Sequence, residues 1–312
     1  MAVQEFMMFT ASTPDADALA AAWSRVTGYE VVEAGGTAAE LRGLWGAAPG
    51  SHPRNVVLAA PGAARGMLRL VETDVPVADE LPASRLGPFG FEFFSRDVDE
   101  FHARLVADGT FQALAPPHDY DMSAIGSGIG RSFAARGPGG IWMLLTTMKS
   151  VPPPRPLPAV AQLVGPVVNM PMAARDRDRA ILFWRDLLGV PVRFDGTMAD
   201  PVVNSVISLP PDRAFHCTVF SVGDGQLAEH HFHPEGSVAP DPRPPGRLRP
   251  GPAAYTCRVD DLDSVVAAAR AQRRGVRGPA GVGCAPYRGR RVAAVAGPQG
   301  ELVELVETPA RA

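Results

Sequence analysis

The feature that most restricts the fold is that the chain repeats itself. WSRVTGYEV, from Trp23, returns as WRDLLGVPV, from Trp184, an offset of 161 residues (23 to 184). SRDVDEFHARLVADG is matched by RVDDLDSVVAAARAQRRG, with Asp97 and Asp261 about 164 apart (97 to 261). GPGGIWMLLTT (137–147) is matched by GPQGELVELVET (297–308), an offset of 160. Three matches in the same order, at nearly one offset, indicate a duplicated unit. Each pair also carries local meaning. Trp followed by Gly reads as a helix stopped by glycine, Asp as a helix N-cap, and Gly-Pro as a turn feeding an apolar strand.

The segment SVPPPRPLPA (150–159) has five prolines in ten residues and lies near the midpoint. Proline-rich stretches form semi-rigid extended linkers, so 150–161 is expected to join two halves of similar size. Each half divides again. In the second, QLVGPVVNMPM reads as a strand and RDRDRAILFWRDLLG as an amphipathic helix, with Ile181, Leu182, Trp184, Leu187 and Leu188 on or near one face. VPVRFDG, SVISLP with CTVFSVG, and QLAEHHF then supply short strands. The order β-α-β-β-β recurs from PAAYTCRV to ELVELVE, and more weakly twice in the first half.

Composition narrows the class. The 312 residues are 46% hydrophobic with a net charge of −3, which describes a soluble globular chain. Basic residues are scattered among acids, so no nucleic-acid partner is expected. No apolar run reaches about 18 residues, so no membrane span is expected. The start MAVQEFMMF lacks signal-peptide character. Cys217, Cys257 and Cys284 show no CxxC spacing and read as free, buried thiols of a cytoplasmic protein. Lys149 is the only lysine among many arginines, a bias that fits a GC-rich, actinobacterial genome.

Four βαβββ modules resemble the vicinal oxygen chelate superfamily, the group of glyoxalase I, bleomycin-resistance proteins and extradiol dioxygenases. RVDDLD, ILFWRDLLGVPV, AGPQG and GPQGELVELVE carry the resemblance. It implies an α+β fold: four tandem modules paired into two domains, each a curved mixed sheet around a pocket with helices outside. Pairing modules 1–2 and 3–4 gives domains 1–149 and 162–312. The resemblance also implies metal ligands on the first strand of a module, usually His, and on the last, usually Glu. Gapless superposition of GELVELVET on GQLAEHHFH makes Glu304 and Glu229 equivalent, with Arg69 and Leu144 in the same places of the first half. First-strand counting lands on Asn169 and on Ala254, beside Tyr255, and neither strand holds a His.

GQLAEHHFHPEG (225–236) concentrates His230, His231 and His233 after Glu229. Strand alternation puts His231 and His233 on the face of Glu229, and His230 on the other. Three readings stand: a solvated strand end, acid/base catalysis by Glu229, His231 and Glu304, or a metal site of those same three residues holding iron, manganese, nickel or zinc. Asn169, Tyr255 and Tyr287 are the expected substrate contacts. Tyr287 and the arginines of YRGRR (287–291) suit an anionic group or a solvated strand edge. HDYDMSAIGSGIGR (118–131) reads as a hairpin loop or lid, Trp23 and Trp184 as core, and Asp260 and Asp261 as caps.

The expected function is an enzyme of this superfamily acting on a small oxygen-rich metabolite by isomerisation, lyase chemistry or ring cleavage. Its pocket is expected in the C-terminal half. A binder that sequesters an antibiotic or metabolite, as resistance proteins of the superfamily do, is the alternative, with an extradiol-type dioxygenase third. A homodimer is compatible with either.

Overall fold

The structure is a computed structural model. It describes residues 3–47, 50–73, 86–121, 123, 128–151, 160–199, 201, 204, 210–223, 225–232 and 248–308. Most of the 150–161 linker, His233 and part of the 118–131 loop lie outside the described residues.

All four modules are present, and local chemistry explains their helices. The helices begin after Asp15, Asp97, Asp176 and Asp261, each carboxylate accepting a backbone N–H of the first turn. Asp261, not Asp260, is the cap of module 4. Gly28 and Gly189 stop the repeat-equivalent helices with φ of +79° and +68°, a conformation that costs glycine nothing. Module 3 departs from a regular amphipathic helix. Only Arg177–Ile181 is α-helical, and Leu182–Leu187 widens into a π turn. The wider turn lets neighbouring Phe183 and Trp184 both point inward, whereas Leu182 is exposed rather than on the buried face.

The strands assemble differently from the expected pairing of modules 1 with 2 and 3 with 4. The first strand of module 1 (Val3–Thr13) pairs antiparallel with the first strand of module 4 (Gly251–Val259). Each also pairs parallel with its own module's last strand, Met67–Glu72 and Leu302–Glu307. The result is one eight-stranded sheet made of modules 1 and 4. In the second sheet, Gly90–Ser95 of module 2 pairs antiparallel with Val164–Asn169 of module 3. These strands are flanked by Trp142–Ser150 and Gln226–Phe232. Both sheets therefore cross the expected division at 150–161. In βαβββ units the first strand keeps a free edge, and any other module's first strand can satisfy its backbone groups.

One core lies between the sheets. Phe6 and Tyr255 pack edge-on from the first sheet against Trp184 of module 3, with ring centroids 5.9 and 5.0 Å away, and Phe9 packs edge-on against both of them. Trp23, on the helix of module 1, packs against Phe91, Phe93 and Phe111 of module 2. Hydrogen bonds tie the sheets further: the Gln226 amide bonds both N and O of Phe6, and Tyr29 Oη donates to Gly165 O at 2.6 Å. Gly66 permits a close approach, since a Cβ there would lie 2.4 Å from Val167 O. Residues alternate along each strand, so the opposite face of each sheet is a separate concave cup.

Because each sheet draws strands from both halves, residues 1–149 and 150–312 expressed separately should fail to fold as monomers, and mixing them should restore native near-ultraviolet circular dichroism. A cooperative, monomeric half on its own would contradict this architecture.

Candidate functional site

In the cup of modules 1 and 4, register brings four strand positions together. Thr10 neighbours Arg69, and Thr256 neighbours Glu304. Arg69 Nη2 meets Glu304 Oε1 at 2.8 Å, with both side chains fully buried. Arg69 also donates from Nε to Thr10 Oγ1 (2.9 Å) and from Nη1 to the Tyr287 hydroxyl. Glu304 accepts further bonds from Thr256 Oγ1 (2.6 Å), Tyr287 Oη (2.7 Å) and Trp45 Nε1. The guanidinium lies 4.6 Å from the centre of the Trp45 ring. Burial alone would raise the Glu304 carboxyl, but Arg69 and the three neutral donors outweigh it and hold it below the usual glutamate range. No polar atom of these six side chains is left without a partner. Trp45, delivered by the helix Ala39–Trp45, and Tyr287 close the network off.

The cup of modules 2 and 3 is organised differently. Its wall is apolar, including Phe89, Trp142, Leu144, Phe215 and Val219. Glu229 Oε1 is 2.7 Å from His231 Nε2 and 3.5 Å from Cys217 Sγ. Asn169 Nδ2 spans two carboxylates, Glu229 at 3.0 Å and Glu92 at 2.9 Å. The His231 ring sits between Phe89 and Phe215, at 5.6 and 4.9 Å. Burial pushes the Glu229 carboxyl upward, but the charge and hydrogen bond of His231, with Cys217 and Asn169, hold it below its ordinary value. Burial and the adjacent Glu229 push the Cys217 thiol well up. Solvent reaches Glu229, whose side chain is 15% exposed, whereas Arg69 and Glu304 are wholly shielded. Three buried polar atoms of this cup have no partner among the described residues: Asn169 Oδ1, His231 Nδ1 and Trp142 Nε1. Glu33 Oε2 and Asn55 Oδ1, on strands of the other sheet, likewise have none.

These placements correct several expectations. Glu229 and Glu304 are repeat-equivalent but lie on different sheets, so Glu229, His231 and Glu304 form neither an acid/base cluster nor a metal triad. The pocket is not confined to the C-terminal half, since each cup is built across both halves. Tyr255 is not a substrate contact: it is fully buried in the inter-sheet core and bonds Met170 O. Tyr287 belongs to the Glu304 cup, while Asn169 shares a cup with Glu229. Among the YRGRR arginines, Arg291 pairs with Asp263 and Glu307. First-strand counting falls two residues short in module 4, where Thr256 rather than Ala254 neighbours Glu304. His230 faces away from Glu229, as alternation requires. It accepts from Trp184 Nε1 at 2.9 Å, and burial pushes its pKa down to about 3.

Sequence reasoning passed over Glu92, Cys217, Trp142 and Trp45, and read Arg69 only as a lost acid. A signal existed for two of them. Glu92 in GFEFF and Arg69 in MLRLV are single charges inside apolar strands, and such a charge needs a buried partner.

Removing one partner of the Arg69–Glu304 pair leaves the other charge buried and uncompensated. Glu304→Gln and Arg69→Met should each destabilise the chain by about 3–5 kcal/mol in denaturant titration. Because the folded pKa of Glu304 is depressed, its contribution is present above the unfolded glutamate value of roughly 4.3 and is lost as pH falls through the folded value. Acid unfolding of Glu304→Gln should accordingly be less steep than that of the parent.

A thiol, a carboxylate and an imidazole converge in the second cup, whereas in the first Arg69 already neutralises Glu304. Residues 164–305 match the family model of the Glyoxalase/Bleomycin resistance protein/Dioxygenase superfamily. No curated protein matches the chain by sequence. Among solved structures, glyoxalase I from Zea mays superposes with a TM-score of 0.65 at 14% identity, covering 97% of this chain and 92% of that one. A candidate dioxygenase from Bacillus subtilis superposes with a TM-score of 0.64 at 12% identity, covering 99% and 86%. Likeness at such identity establishes fold alone. The sequence match to that superfamily thus covers residues 164–305, and the fold shared with glyoxalase I covers nearly the whole chain.

Proposed function

We propose that the chain is an enzyme that transfers protons on a small oxygen-rich organic molecule bound in the cup of modules 2 and 3. The observation that supports this reading is the contrast between the cups. Around Glu304 an arginine neutralises the acid in a fully buried network, while Glu229 stays partly open to solvent, with Asn169 Oδ1, His231 Nδ1 and Trp142 Nε1 unpartnered on an apolar wall. A few directed polar groups on an apolar concave surface are what a small-molecule site requires. An enol, a hydroxy-ketone or a catechol offers both the oxygens and the apolar body to fill it.

Glu92 and Glu229 are the proton acceptors of this reading. Asn169 holds both carboxylates, and His231 keeps Glu229 ionised by charge and hydrogen bonding. His231 therefore acts on Glu229 and reaches the substrate side of the cup from the same strand face. A carboxylate fixed by hydrogen-bond donors in an apolar site can take a proton from carbon or oxygen without reorienting. Tyr287 and Glu304 have no part in the chemistry. The apolar wall also suits a sequestering protein, which would hold a ligand without changing it.

Deuterium incorporation from heavy water into a panel of hydroxy-ketones, enediols and catechols separates the two. Wild type should exchange at least one compound, and Glu229→Gln should slow that exchange by roughly 10²–10⁴-fold. Exchange unaffected by Glu229→Gln removes the carboxylate from the mechanism. A tightly held ligand recovered without label establishes the sequestering reading instead.

A further inference from the structure

We infer that Glu301 and Arg249 form a proton-operated latch on the segment Leu86–Phe89, which walls the module 2–3 cup. With Glu301 neutral, Arg249 holds Leu86 O; with Glu301 ionised, Arg249 turns to the carboxylate and the segment is released. The inference rests on reading that cup as the ligand site and adds a control on its wall. The first sign is in the repeat. At the offset of 160 that relates GPGGI to GPQGE, Glu301 stands where module 2 has Ile141 (141 to 301). The two turns are alike: Gly137 N–H donates to Ile141 O and Gly297 N–H to Glu301 O, both at 2.8 Å. Ile141 is a buried residue of the inter-sheet core. Glu301 is equally buried and shares strand parity with the core residues Val303 and Leu305. A carboxyl in an apolar residue's place costs stability, so packing does not account for it.

The Glu301 side chain folds back over its own turn, where a Cβ on Gly297 would overlap the carboxyl. Oε2 accepts from Gln299 N at 2.8 Å, and Oε1 has no hydrogen-bond partner among the described residues. Among those residues, Arg274, Arg249 and Tyr255 are the charged or titratable groups that act on it. Each reaches across to the other sheet. Arg249 donates from Nη1 to Leu86 O at 2.6 Å. Arg274 lies 4.8 Å from the centre of the Phe183 ring and donates to Gln272 Oε1, with the charge of Arg179 nearby. Tyr255 donates to Met170 O. Burial pushes the Glu301 carboxyl up to about 7, while the N–H groups of Glu301 and Gln299 and the charges of Arg274 and Arg249 pull the other way. The folded chain therefore holds Glu301 neutral below about 7 and charged above it.

Arg249 is the arm that connects this acid to the cup. Its guanidinium occupies the space that a Cβ on Gly87 would fill, and Gln299 O borders the same spot at 4.0 Å. The turn that carries Glu301 and the segment that carries Leu86 thus meet at one guanidinium. Gly87 and Pro88 pair with Ala173 and Met172, and Phe89 N–H donates to Pro171 O at 3.1 Å. Leu86 and Phe89 enter the cup wall, where the Phe89 ring lies 5.6 Å from that of His231. Arg274 has no such link, since its ring partner Phe183 belongs to the inter-sheet core. A carboxylate in a dry site gains most from a guanidinium. Drawing Arg249 to Glu301 costs Leu86 its tie and loosens the wall beside His231.

Hydrogen exchange at the Gly87 and Phe89 amides of the ligand-free full chain, corrected for the intrinsic effect of pH, tests this. Opening of the segment should rise about tenfold between roughly pH 6 and pH 8, because ionisation of an acid with a raised pKa favours the open form. Glu301→Gln and Glu301→Ile, the latter copying module 2, should keep the amides protected at both pH values. Arg249→Met should leave them unprotected at both, and Arg274→Met should keep the step. A wild type without the step, a step that survives either Glu301 variant, or one lost in Arg274→Met but kept in Arg249→Met overturns the latch. Denaturant titration gives a second readout. The wild-type midpoint should fall relative to that of Glu301→Gln from roughly pH 4.3, the unfolded glutamate value, to about 7, and run level above it. Midpoints that stay parallel across that window also overturn it. The proton-transfer reading fails separately. Label exchange that depends on Glu229, with no pH step at these amides, refutes the latch and leaves the enzyme. A pH step without label exchange leaves the latch and refutes the enzyme.

Discussion

Everything in this structure depends on the antiparallel pairing of first strands across the two halves of the chain. Val3–Thr13 lies against Gly251–Val259, and Gly90–Ser95 against Val164–Asn169. These pairings nest the central modules within the terminal ones. They close the free edges of four separate βαβββ units, place strands from both ends of the chain in one sheet, and bring the two sheets together over a single aromatic core. They also decide which side chains can meet. Glu304 meets Arg69 because modules 1 and 4 share a sheet, and Glu229 meets Glu92 through Asn169 because modules 2 and 3 do.

The two cups show what duplication leads to when a charged position changes on one side only. In the first, an arginine faces a glutamate in a fully buried network, with Trp45 and Tyr287 closing over it. A buried ion pair of this kind is tolerated because its hydrogen-bonding groups are all used. In the second, an acid faces a leucine, and the acid has found His231, Cys217 and Asn169 as neighbours. In the first, the six side chains of the Arg69–Glu304 network are bonded throughout. The second keeps an acid partly open to solvent beside unpaired polar atoms.

Much of the fold was legible in the sequence. The four Asp caps, the Trp-to-Gly helix ends and the alternating apolar strands are short-range signals, and each describes a local backbone preference. Parity along QLAEHHF placed His231 with Glu229 and turned His230 away, because strand geometry leaves no other choice. The superposition of GELVELVET on GQLAEHHFH held as an equivalence of position. It misled when equivalence was taken for proximity, since repeated positions on different sheets are far from one another. Tyr255 misled for a related reason: one residue along a strand separates the core face from the cup face, and Thr256 holds the cup side.

The sequence by itself determined the modules, their number, their caps and the face on which each strand residue falls. These follow from periods of 2 and 3.6 and from contacts a few residues long. Only the tertiary structure decided which modules share a sheet, and hence that Glu229 lies beside Asn169, His231 and Cys217 while Glu304 is neutralised by Arg69. All four first strands offer similar unpaired edges, so strand chemistry alone cannot choose among partners. The choice is made where Trp23, Trp184, Phe6 and Tyr255 interlock between the sheets, at sequence separations no local pattern records.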